Sequence, residues 1–320
     1  MNAGTEKRVE LKFHNIHNHG TDIAGMWMNE IDKRSEGRVR FTITEGDDQE
    51  LINNADIVRD TPALDSRYSL LNLVQIPFIF PNSSTGSKVI AQLYTEFSEL
   101  RSELNDNKVL GLGTGALMAV FSNHSKGPIR TLEDFRGTRI RSLSLMDRIF
   151  KVLGEVPVRV GWFDMYRLLD TREIDAAFLG VMPAFVFKLA EGPAPFCTIT
   201  GKNSISMHPM RMYMKWDTWN RLPSDVKNII DELGPFGAGC WYAVQNGSDS
   251  DNHLKEALED IKKKGEIIEV SEEETQRCGK VIRTEVEAII AGVESKGLPA
   301  RRFYTRMLEL VREYDTMTEE

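Results

Sequence analysis

Apolar positions along residues 9–43 switch between the two secondary-structure periods. Val9–Phe13 alternates as a strand does, Asp22–Arg34 sets Ile23, Met26, Trp27 and Ile31 on one helical stripe, and Arg38–Ile43 alternates again through Val39, Phe41 and Ile43. Gly37 stands where a helix C-terminus favours glycine. The centre repeats this grammar. Thr138–Ser142 reads as a strand, and Leu145–Leu153 as a helix capped by Ser144 and closed by Gly154. Val156–Val160 reads as a strand, Asp164–Leu169 as a helix and Ile174–Leu179 as an apolar strand. Strands alternating with helices predict an α/β architecture with a mostly parallel sheet covered on both faces.

After Met207 the pattern becomes helical. Met210–Lys215 alternates methionines with Arg211, Tyr213 and Lys215. A helix then starts at Leu222-Pro223-Ser224, is kinked by Gly234-Pro235, Gly237 and Gly239, and resumes to Lys264. Further helices are expected near Glu272–Val293 and Arg302–Tyr314. No internal repeat or Pro/Ser-rich linker is present, so a second domain is joined by chain crossings rather than a tether.

A length of 320 residues exceeds what one core usually organises and favours two domains. The formal net charge of −8, without a block of Lys and Arg, argues against a nucleic-acid partner. The most apolar stretches, Leu70–Phe80 and Gly111–Phe121, are too short to span a bilayer as helices. Cys197, Cys240 and Cys278 are odd in number and lack C-x-x-C spacing, so they read as buried apolar residues rather than zinc ligands or disulfides. MNAGTEKRVELKF carries no apolar signal core, which leaves a cytoplasmic protein or one whose signal peptide is missing from the chain.

Several residues are candidates for chemistry. Gly111–Ala116 matches the dinucleotide-binding pattern G-x-G-x-x-A, yet the chain breaks soon afterwards at Asn123–Pro128; close packing of glycines in a strand explains it as well. His14, His17 and His19 cluster at the end of the first strand. They could line a ligand, bind a metal or face solvent, and no H-E-x-x-H supports the metal. Arg141 ends a strand immediately before a helix N-terminus, where open α/β sheets bind ligands and an Arg can grip a carboxylate through two parallel hydrogen bonds. An ion pair to Asp147 or plain solvation would also account for it. Trp162, at the end of the next strand, is an aromatic wall for the same cleft or ordinary core, and Phe178 and Leu179 end the third strand.

The segment Gly127–Asp175 also resembles a known family. Gly127-Pro128-Ile129-Arg130-Thr131-Leu132-Glu133-Asp134-Phe135-Arg136-Gly137-Thr138-Arg139-Ile140-Arg141 is similar to the "PI-x-(s/t)-x-x-D-hydrophobic-(K/R)-G-x-(K/R)-I-R" run of the solute-binding proteins of tripartite ATP-independent periplasmic (TRAP) transporters, of the C4-dicarboxylate-binding type. Leu153-Gly154 with Pro157, Tyr166, Ile174-Asp175, Gly37-Arg38-Val39, Ile76–Phe80 and Trp219–Pro223 resemble further signatures of that family. The resemblance implies a two-lobed periplasmic-binding-protein-like α/β fold, each lobe a mixed sheet flanked by helices, with a long helix spanning both. It places residues 1–125 plus 210–256 in lobe I and 126–209 plus 257–320 in lobe II.

By that resemblance the protein is a periplasmic receptor, not an enzyme. No cofactor and no metal ligands are assigned, a metal at the site is left open, and as a monomer it delivers a small organic acid to the membrane subunits of a TRAP permease. The family's carboxylate-binding Arg falls on Arg141 and its pocket aromatic on Trp162. Two departures bear on the ligand: Leu179 replaces an Asn, and Leu117–Phe121 holds no second Arg. They favour a monocarboxylate with an apolar or aromatic body. Arg67 or Arg59 is a replacement charge, and His17, His19 and His208 are further ligand-lining candidates, with Phe178 and Leu179. The alternative is an α/β nucleotide-dependent oxidoreductase using Gly111–Ala116. Gly234–Gly239 is the expected flexing point.

Overall fold

The computed structural model describes residues 8–16, 22–62, 67–142 and 145–316; of Trp162, Phe163 and Thr316 it describes the backbone alone. The chain runs β1 (Val9–Asn15), α1 (Ile23–Arg34), β2 (Val39–Glu45), α2 (Gln49–Asn54), β3 (Ile57–Asp60), a 3-10 turn (Leu71–Gln75), α3 (Ser83–Glu96), α4 (Ser98–Glu103), β4 (Lys108–Thr114) and β5 (Met118–Ser122). It continues with α5 (Leu132–Phe135), β6 (Arg139–Arg141), α6 (Leu145–Leu153), β7 (Val156–Val158), α7 (Trp162–Asp170), β8 (Ala176–Gly180), α8 (Val181–Val186) and β9 (Phe196–Thr200). The last third is β10 (Pro209–Met214), α9 (Trp216–Arg221), α10 (Ser224–Glu232), α11 (Trp241–Lys264), β11 (Glu266–Val270), α12 (Glu272–Glu294) and α13 (Ala300–Thr316).

These elements form two sheets, ordered β2-β1-β3-β10-β4 and β11-β9-β5-β8-β6-β7. Each is mostly parallel, as expected, and is mixed through one reversed strand. In the first, β10 runs antiparallel to both β3 and β4; in the second, β5 runs antiparallel to β8 and β9. The reversed strands are those the chain uses on arriving from the other lobe, since β4 leads to β5 through residues 115–117 and β9 to β10 through residues 201–208. The first crossing therefore precedes the expected boundary at 125, because Met118–Ser122 is hydrogen-bonded into the second sheet. The assignment of the whole C-terminus to lobe II is corrected as well: α12 packs on α6 of that lobe, whereas α13 returns to α3 of lobe I.

Helix α11 is the third crossing, and its first half is fixed on lobe I by close backbone approach. A Cβ on Gly111 would lie 2.4 Å from the Tyr242 ring, and one on Gly113 2.5 Å from Asn246 Nδ2. Both glycines are inside β4, with no helix opening behind them, so the G-x-G-x-x-A run serves helix-on-sheet contact rather than a nucleotide. Asn246 Nδ2 donates to Ser87 Oγ at 3.0 Å and to the Thr114 carbonyl at 2.9 Å. One helical turn further on, Asp249 accepts the N–H groups of Asp22 and Ile23, and Asp251 those of Ser83 and Ser84. The crossing helix thus caps the N-termini of α1 and α3, satisfying donors that neither helix pairs internally. Its second half buries Ala257 and Ile261 in the core of lobe II.

The expected kink is instead a break. Helix α10 stops at Glu232, α11 starts at Trp241, and the intervening residues pack against lobe I, where Gly237 N–H donates to the Ala91 carbonyl and the Thr95 hydroxyl. Residues 234–239 therefore join no two lobes. Helix α3 has no counterpart in the periodicity reading, because its buried face carries Ser83, Thr85, Gly86 and Ser87, which dilute the apolar stripe. Among the described residues no helix is long and apolar enough to cross a membrane. The three cysteines are free thiols; Cys197 and Cys278 are buried, while the half-buried Cys240 accepts from Ala243 N–H at the start of α11.

Two consequences for stability can be measured. Gly113→Ala should lower stability by about 1–3 kcal/mol, the usual cost of overpacking, and an unchanged denaturation midpoint would contradict the close contact. Glu155, buried between α6 and β7, has neither carboxyl oxygen hydrogen-bonded among the described residues, and burial pushes its pKa well above the ordinary range. A raised carboxyl pKa gives stability that is complete below the ordinary value and lost as pH rises. Glu155→Gln should therefore gain on the wild type between pH 4 and pH 8 in chemical denaturation; a constant difference would contradict it.

Candidate functional site

The strand registers define one edge of each sheet. Thr114 ends β4 opposite Pro209, the first residue of β10, and β3 ends with Asp60 opposite Arg211. In the second sheet Gly180 ends β8 opposite Met118, the first residue of β5, and the parallel strands β6 and β7 end at Arg141 and Val158. Both crossings leave from these edges, so the C-terminal ends of the parallel strands of the two lobes face a common cleft. This is where open α/β sheets place ligands.

The motif that precedes Arg141 is mostly structural. Thr131 and Asp134 form a capping box on α5, with Asp134 Oδ2 accepting the N–H groups of Arg130 and Thr131, each at 2.9 Å. Gly137 and Gly154 have φ of 71° and 95°, which favour glycine, and Gly137 N–H donates to the Gly154 carbonyl at 2.8 Å. Arg139 locks β6 onto the start of β8: its Nε and Nη2 donate to Asp175 at 3.0 and 2.7 Å, and its backbone N–H does so at 2.8 Å. Burial works against the Asp175 charge, but these bonds hold its pKa below the ordinary value.

Arg141 differs from its neighbours. It is 3% exposed, and its guanidinium donates to carbonyl oxygens, from Nη1 to Phe178 at 3.2 Å and from Nε to Val160 at 3.4 Å. The acid nearest in sequence is already engaged: Asp147 accepts from Ser142 Oγ and from Arg159 Nε, each at 2.6 Å. Burial pulls the Arg141 pKa down to about 10, and the Asp147 charge offsets this only partly. Arg141 is thus a dehydrated cation at the C-terminal end of a parallel strand.

The other candidates separate. Phe178 reaches the site through its carbonyl, while its ring lies in the core, edge-on to Phe150 at 5.0 Å. Leu179 points to the opposite face of β8 and is fully buried in the second core of lobe II. These two side chains are not cleft-lining, because helices cover both faces of the sheet. Trp162 is the first residue of α7 rather than a strand end, and its side chain lies outside the described residues, as do His17, His19 and Ser144. His208 stands in the second crossing, its carbonyl accepting from Gly115 N–H at 2.9 Å. His14 is buried, with its ring nitrogens on Thr44 Oγ1 and the Gly46 carbonyl. Arg67 is exposed and pairs with Asp106 at 3.2 Å. Arg59 is buried, with Nη1 3.4 Å from Asn15 Oδ1. Among the described residues no three His, Cys, Asp or Glu side chains come together to hold a metal.

The pattern reading overlooked Arg211, the cation at the cleft edge of lobe I, which is paired with Asp60 and Tyr68. Its signal was a charged residue alternating with Met210 and Met212 in a buried strand.

Comparison with known proteins identifies the family and the fold. The family model for bacterial extracellular solute-binding protein, family 7, matches residues 17–292, and the chain belongs to that family. Its members are solute-binding proteins that serve TRAP transporters in the periplasm and are not enzymes. The oxidoreductase alternative gains no support. A TRAP solute-binding protein from Rhodoferax ferrireducens T118, solved with copurified benzoate, has a TM-score of 0.86 at 20% identity and covers 97% of this chain and 99% of its own. A marine metagenome TRAP solute-binding protein specific for aromatic acids, solved with 3-hydroxybenzoate, has a TM-score of 0.85 at 20% identity, covering 97% and 100%. At these identities the TM-scores show a shared fold and nothing finer. The 2,3-diketo-L-gulonate-binding periplasmic protein YiaO of Escherichia coli K12 is 28% identical over 109 residues, so the match spans 33% of the length of each protein.

The Arg139–Asp175 pair carries a pH signature. A depressed carboxyl pKa gives stability that is present above the ordinary value and lost as pH falls through the lowered one. Because Arg139 is half-exposed, Asp175→Asn should cost about 1 kcal/mol at pH 7. Denaturation curves should show that deficit shrinking below pH 4, and a pH-independent deficit would contradict the ion pair.

Proposed function

We propose that the protein is a TRAP receptor for a small monocarboxylate with an apolar or aromatic body, held between the lobes and delivered to the membrane subunits of a TRAP permease. The observation that carries the proposal is Arg141: a buried guanidinium at the cleft edge, seated on carbonyl oxygens, with the neighbouring acid engaged by Ser142 and Arg159. A carboxylate meeting such a group gains charge-assisted hydrogen bonds in a site already stripped of water. The benzoate and 3-hydroxybenzoate of the two similar structures support an aromatic acid, since each has one carboxylate and a ring. The diketogulonate-binding relative supports a carboxylate without the ring.

The test is a thermal-unfolding screen of benzoate, hydroxybenzoates, mandelate, sugar acids and C4-dicarboxylates. A ligand at 100 times its dissociation constant adds about 2.7 kcal/mol to stability, a shift readily seen. Aromatic monocarboxylates should raise the midpoint most. Arg141→Ala should weaken the best of them by about 100-fold, as expected for a charged partner left without its cation. A hit whose shift survives that substitution would remove Arg141 from the site.

A further inference from the structure

The cleft edge of lobe I holds a second buried guanidinium, and it is already occupied. Arg211 and Asp60 face each other in register across β10 and β3. Nε and Nη2 donate to the two carboxylate oxygens at 3.0 and 2.5 Å, and Nη1 donates to the Tyr68 hydroxyl at 2.8 Å. The guanidinium carbon also lies over the Tyr68 and Tyr213 rings, 4.8 and 4.4 Å from their centroids. The Arg211 side chain is 5% exposed and that of Asp60 15%, so the acid is the member nearer to solvent.

We infer that Asp60 is a specificity-determining residue: by clamping Arg211, with Tyr68, it withholds the cation of lobe I from a second carboxylate and so selects monocarboxylates over dicarboxylates. The inference rests on the reading of Arg141 as the carboxylate anchor. A dicarboxylate anchored there would bring its second charge toward a cleft edge where the fork of Arg211 is spent and the accessible partner is anionic. It would lose its hydration, gain no donor and meet like charge. A neutral ring pays none of these costs. Selection by an unfavourable encounter needs no contact with the preferred ligand, which is how a residue already satisfied within the protein can set specificity. Buried ion pairs seldom exceed an apolar pair of similar volume in stability, so a purely structural role leaves the choice of this pair unexplained.

Two pairs of acids that differ by a carboxylate serve as probes: benzoate with isophthalate, and butyrate with succinate. Calorimetric titration of the wild type should show the monocarboxylate bound at least about tenfold more tightly in the pair that binds. Asp60→Asn, which keeps the shape and exposes the Arg211 charge, should shift the ratio toward the dicarboxylate by about tenfold or more, the equivalent of one charged hydrogen bond. Asp60→Asn combined with Arg211→Gln should return the ratio toward the wild-type value. A folded Asp60→Asn protein with an unchanged ratio overturns the inference. A wild type that binds the dicarboxylate as tightly overturns it too, and needs no variant to fold. Arg141→Ala separates the two readings. If it abolishes benzoate binding while the Asp60→Asn ratio stays fixed, the selectivity inference alone fails; if it leaves benzoate binding intact, the anchor reading fails and takes this one with it.

Discussion

Dehydrating a guanidinium costs several kcal/mol unless its donors are met and its charge is balanced. This protein does so twice along one cleft and solves the two cases differently. Arg211 is balanced within the fold: burial pulls its pKa down, but Asp60 and Tyr68 more than compensate and hold it above the ordinary value. Arg141 is seated on carbonyl oxygens, and its pKa falls to about 10 because the Asp147 charge only partly offsets burial. One cation is balanced by a carboxylate of the fold, the other is the anchor proposed for the ligand's carboxylate, and the chemistry proposed for the cleft follows from that difference.

The remaining architecture serves to keep those edges in place. Arg139 and Asp175 fix β6 against β8 two residues before Arg141, and the α5 capping box and two left-handed glycines set the path into β6. On the other side, glycines of β4 let α11 approach closely enough for Asp249 and Asp251 to cap α1 and α3. The crossing helix thus packs on lobe I for its first turns and in the lobe II core at its end.

How much of this could be read in the sequence depended on distance along the chain. The strand and helix units of lobe II were legible because each closes locally, and Arg141 stood out from its place between a strand end and a helix start. Alternation put Phe178 and Leu179 on opposite faces of β8 but could not say that helices cover both, so neither side chain reaches the cleft. The break at residues 233–240 looked like a kink because helical periodicity resumes beyond it. Arg211 and Asp60 are 151 residues apart, and their pairing exists only once β10 returns from lobe II to lie beside β3. No local pattern encodes that contact. The motif residues carried the family, while the residue proposed to select the ligand lies outside them.

The most direct measurement is a crystal structure of the protein with the acid it binds most tightly in solution. The account requires the carboxylate to sit within hydrogen-bond distance of the Arg141 guanidinium, with the apolar body of the ligand extending between the lobes and the Arg211–Asp60 pair intact. A carboxylate bound by Arg211 with Asp60 displaced, or one that makes no contact with Arg141, would contradict it.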